Sequence, residues 1–86
     1  MLEELVDKIY ERIREVILEE VGDEKKILRL EPTIIAYEDE DDKLTVDISI
    51  DLEISPFVKK SKEEILKRVR EEVDKLIQEY TGKKPI

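Results

Sequence analysis

From Leu44 to Ile54 every even position is aliphatic and every odd position is polar. Side chains on a strand alternate between faces, so this pattern predicts a strand with one dry and one wet face. A sheet wetted on one side is an antiparallel sheet covered on the other, and the rest of the chain has to supply that cover.

The flanking segments have the right character. Leu2, Leu5, Val6, Ile9, Ile13, Val16 and Ile17 recur at helical steps, with Tyr10 at the edge of the stripe, and predict an amphipathic helix over residues 2–20 that Gly22 terminates. Ser61-Lys62-Glu63-Glu64 reads as a capping box opening a second helix that runs to about Tyr80. Its stripe is Ile65, Leu66, Val69, Val73, Leu76, Ile77 and Tyr80. Glu63/Lys67, Glu64/Arg68, Lys67/Glu71, Arg68/Glu72, Arg70/Asp74 and Glu71/Lys75 stand at i,i+4 spacing as helix-supporting pairs. Thr81-Gly82 is read as the stop, with Lys83 and Lys84 complementing the helix C-terminus.

Between the helices, Ile27 to Tyr37 reads as the partner strand. Leu28, Leu30, Ile34 and Ala36 share the parity expected to face the core, and Pro32 belongs on an edge or at a bulge. Ile27, Ile35 and Tyr37 have the opposite parity, so either a bulge resets the register near Ile34-Ile35 or the outer face is partly covered. Glu38-Asp39-Glu40-Asp41-Asp42 is read as a solvated hairpin tip. A calcium loop would need a glycine and a bidentate Glu that this run lacks, and Lys43 stands at one alternate position. Phe57, in the Ser55–Val58 connection, is expected to plug the core at the end of the sheet. The fold class is therefore α+β: an α-β-β-α chain whose antiparallel β-hairpin is covered on one face by two helices, in a single domain spanning residues 1–86.

Composition narrows the chemistry. The chain has no Cys, His or Trp, which removes thiolate and imidazole metal sites and His-dependent nucleophilic catalysis. Charged residues make up 47% of the chain, with a single glutamine and no asparagine, the pattern of a thermophilic protein. The net charge of −8 is uneven: residues 1–55 are acidic, and only residues 56–86 carry more bases than acids. An acidic N-terminus and no apolar run of membrane-spanning length lead to a cytoplasmic assignment.

Three functional readings compete. Asp51 and Glu53 stand about 7 Å apart on the wet face, a carboxylate spacing some hydrolases use, but an open face tunes no pKa, and we expect no enzyme, cofactor or metal. Lys59, Lys60, Lys62, Lys67, Arg68 and Arg70 gather around the second helix and form the alternative, a nucleic-acid contact, opposed by interleaved acids and few aromatics. The preferred reading is a protein-interaction module. A lone hairpin leaves two edges and a thin core, so a homodimer is expected, by edge-to-edge strand pairing or through helices. Ile35 and Tyr37 are the candidate interface. Glu3, Asp7, Glu11, Glu15 and Glu19 form a spiralling acidic column on the first helix, read as a solvated face.

Val46-Asp47-Ile48-Ser49-Ile50-Asp51-Leu52, then an amphipathic helix closing on Tyr80-Thr81-Gly82, resembles the core of the bacterial alkaline-shock protein family, in which a helix also precedes a hairpin and the next helix ends on Thr-Gly. The resemblance covers under half the chain and carries no catalytic residues; that family continues into another strand after the Thr-Gly. As a whole, the short, acidic, Lys/Glu-rich chain also resembles archaeal hypothetical proteins of families of unknown function.

Overall fold

The computed structural model describes residues 2–82, and side chains as far as residue 80; Lys83 and Lys84 lie outside the described residues. Helix α1 spans Leu2–Val21, strand β1 Ile27–Glu38, strand β2 Leu44–Ile54 and helix α2 Lys62–Gly82. The strands pair antiparallel in a two-stranded sheet, and the helices lie on its dry face. This is the α-β-β-α order read from the sequence.

Local chemistry accounts for each boundary. Gly22 adopts φ +84° and donates its N–H to the Leu18 carbonyl at 2.7 Å, which ends α1 in the left-handed conformation glycine tolerates. Asp23 then caps a single 3-10 turn over Glu24–Lys26 by accepting from the Lys25 N–H at 3.0 Å. At the start of α2 the Ser61 hydroxyl accepts from the Glu64 N–H at 3.2 Å, and the Glu64 carboxylate accepts from that hydroxyl at the same distance. The hairpin tip is held by Asp39, whose carboxylate accepts from the N–H groups of Asp41 and Lys43, each at 2.9 Å. That carboxylate therefore organises the turn.

The core is mostly helical. Leu5, Ile9, Ile13, Val16, Ile17 and Val21 of α1 meet Ile65, Val69 and Val73 of α2, and Leu52 is the one strand residue buried to the same degree. Leu30, Ile34, Val46, Ile48, Ile50 and Ile54 face the helices but are only partly buried. The chain is correspondingly drawn out. Its radius of gyration is 14.3 Å, against about 12 Å for a compact chain of this length. It exposes 6659 Å², where a globular monomer of its mass exposes roughly 5300 Å².

Three expectations are corrected. The bulge lies between Ile27 and Arg29, not at Ile34-Ile35, and Pro32 takes the edge position that was its other expected place. The bulge exchanges the faces of the first two residues of β1, so that Ile27 packs on the core and Leu28 is left 62% exposed. Beyond it the ladder is regular, so Ile35 and Tyr37 stay on the outer face, 55% and 47% exposed, with neither a bulge nor a cover. Phe57 does not plug the core. Its N–H is held by the Ser55 hydroxyl at 3.2 Å, and Val58 donates back to the Ser55 carbonyl at 3.1 Å, a tight turn with Phe57 at its corner and 82% exposed. Val58 packs on the core instead.

Candidate functional site: the open strand edge

The ladder decides which backbone groups of the sheet are already used. Asp39 donates to the Lys43 carbonyl at 3.0 Å, so this odd-numbered pair is hydrogen-bonded, and pairs alternate from there along the strands. Even-numbered residues of β2, and of β1 beyond the bulge, therefore turn their N–H and C=O groups away from the partner strand.

The two outer edges are not equivalent. On β1 this outward row includes Pro32, which has no N–H, and its carbonyl accepts from the Tyr10 hydroxyl at 3.3 Å. On β2 the row runs through Leu44, Val46, Ile48, Ile50, Leu52 and Ile54 with no proline. No hydrogen bond from the described residues reaches its outward groups.

Helix width explains what lies beside that edge. Two packed helices form a layer about 20 Å wide, whereas two strands span only about 10 Å. By that difference the helices overhang the sheet by about one strand on each side. Beneath α2, which touches β2 only sparsely, the overhang leaves a groove of about 320 Å³ between Val46, Ile48 and Ile50 on the strand and Leu66, Val69, Val73 and Ile77 on the helix. Asp47, Arg70 and Asp74 stand at its rim, and none of the three forms an ion pair among the described residues. The matching hollow beneath α1 contains Tyr10, Leu18 and Pro32 together with the charged Glu11, Arg14, Glu15 and Glu24.

The overhang also bears on how two copies can meet. If two β2 edges paired about a two-fold axis, both α2 helices would occupy the space over that axis, where helices need 8–10 Å between them. Pairing through β1 meets Pro32 and Tyr10. Edge-to-edge pairing of two copies would thus have to accommodate α2 at β2, or Pro32 and Tyr10 at β1.

The cations of the nucleic-acid alternative do not form one surface. Lys60 Nζ and Arg68 Nη1 both donate to Glu20 Oε2 at 2.9 Å, and Arg68 also lies 3.7 Å from Glu19. Arg70, two residues on, faces the opposite side of α2, into the groove. Lys59, Lys62 and Lys67 are exposed and make no ion pair among the described residues. None of the i,i+4 pairs expected along α2 closes; Arg68 reaches across to α1, and Glu72 bridges Arg12 at 3.3 Å and Lys75 at 3.4 Å. On the acidic column of α1 only Glu19 finds a cation among the described residues.

Glu20 is the hub of this network. Its side chain is 12% exposed and sits in the last turn of α1, where no basic residue of that helix offsets the dipole. The hydrogen bond from Lys60, followed by that from Arg68, holds its carboxyl below the ordinary value of 4.5 despite the opposing effect of burial. A depressed folded-state value stabilises the fold above pH 4.5 and is lost as pH falls through it. We expect the melting temperature to fall on acidification below that point, and the Glu20→Gln variant, less stable at neutral pH, to lose less. Thermal melts of both proteins across the acid range check this.

The wet-face carboxylates are not assembled for chemistry. Asp51 is bridged by Arg29 at 3.3 Å on an open face. No group of three potential metal ligands occurs among the described residues, and no helix among them is long and apolar enough to cross a membrane. Comparison with protein-family models, with curated proteins and with solved structures finds no match to this chain.

Proposed function

We propose that this chain is a non-catalytic protein-interaction module of the cytoplasm whose docking element is the open edge of β2 beneath α2. The observation that carries the reading is the pairing of an unused, proline-free strand edge with a groove lined by aliphatic side chains and rimmed by Asp47, Arg70 and Asp74. Hydrogen exchange read residue by residue tests it. In the free protein the amides of Val46, Ile48 and Ile50 should exchange quickly, while those of Thr45, Asp47 and Ser49 are protected by β1. Protection of both sets in dilute solution would mean that the edge is already filled, and would overturn the reading.

Homodimerisation is a second reading, favoured by the surface in excess of a compact monomer and by Ile35 and Tyr37, which stand side by side in parity on the outer face. Such a dimer leaves both β2 edges free. Light scattering is expected to give twice 10.2 kDa, falling to the single mass in the Ile35→Lys variant; a single mass for the unaltered chain would remove the dimer without touching the edge.

A further inference from the structure

Resting on that reading, we propose that the groove takes an extended segment in which aliphatic residues alternate with lysine or arginine, added to β2 as a third strand. The backbone settles the direction of each side chain. A strand added to β2 bonds to the outward groups of Val46, Ile48 and Ile50. Residues of the added strand opposite those three point the same way as they do, into the apolar groove beneath α2.

Residues opposite the odd positions face outward, beside Thr45, Asp47, Ser49, Asp51 and Glu53. That row holds three carboxylates and no cation. Asp51 is already shared with Arg29, whereas Asp47 and Glu53 have no ion-pair partner among the described residues. Cross-strand neighbours of opposite charge attract, and like charges directly opposite repel. The outer row therefore selects bases and rejects acids, while at the rim Arg70 and Asp74 offset one another. The net charge of −8 draws the same kind of partner from a distance. An added strand matches the overhang, which is narrower than a helix of about 10 Å diameter.

The probes are three short blocked peptides: alternating valine and lysine, alternating valine and glutamate, and a scramble of the first that keeps its composition but breaks the alternation. The alternating lysine peptide should protect the amides of Val46, Ile48 and Ile50 and bind at least about tenfold more tightly than the other two. In the Asp47→Lys variant, an exposed change that leaves the core intact, the preference between the lysine and glutamate peptides should narrow or reverse. Equal binding of the scramble, or of the glutamate peptide, overturns the proposed chemistry of the partner. Protection by the glutamate peptide alone overturns it too but leaves the docking edge standing. If none of the peptides protects a β2 amide, both the partner and the docking edge fail.

Discussion

Replacing Leu52 with alanine should remove a large share of the fold's stability. Leu52 is fully buried where β2 meets the helical core, and the other dry-face residues of the sheet are only partly covered. Truncating a buried leucine costs about 3–4 kcal/mol through lost transfer energy and the cavity left behind. A domain of this size has a total stability of roughly 4–13 kcal/mol, so the loss is a large share of it. The same truncation at half-buried Ile48 should cost less than half as much, because that side chain already touches water in the groove. Urea unfolding of the two variants, compared by midpoint at equal slope, measures the difference.

An aspartate at Ile13 should be as damaging, with a pH dependence of the opposite sign to that of the unaltered protein. Ile13 is fully buried in a core that contains no buried polar or charged residue, so the new carboxylate meets neither water nor a cation. Several kcal/mol are lost at neutral pH. Burial raises the folded-state pKa of such a group above its unfolded value, so protonation recovers part of the loss as pH falls. The unaltered protein is expected to lose stability only as pH falls below 4.5 and Glu20 gains its proton. Melts of the Ile13→Asp variant should therefore improve on mild acidification, whereas those of the parent should decline only below pH 4.5.

Much of this architecture is legible in the chain. The alternation from Leu44 to Ile54 specifies both strand and buried face, because a period of two has no helical reading. The stripes of α1 and α2, Gly22 and the Ser61 box work the same way, each a local preference that the tertiary structure supports. What failed to show was decided at a distance. Ile27 and Leu28 are equally apolar, and only the pairing with Ile54 and Glu53 determines which of them turns inward. Phe57 suited a core plug by type, but the Ser55 turn places it at a corner. Arg68 had acids at helical spacing on its own helix, yet it bonds Glu20, 48 residues away. The groove had no signal in any single segment, since it follows from the unequal widths of a helix pair and a strand pair. Its parts were visible all the same: the aliphatic row of β2, Asp47, and the valines of α2.

Pro32 and the Tyr10 hydroxyl have a consequence for growth. A subunit with two receptive edges can be a link, accepting one neighbour and offering itself to the next, and nothing then limits the length of the product. Here the outward row of β1 is broken at Pro32 by a missing N–H and an occupied carbonyl. If β2 receives a strand as proposed, this break hinders the ladder from being passed on through the far side, and in an assembly built by strand addition the protein would act as a terminator.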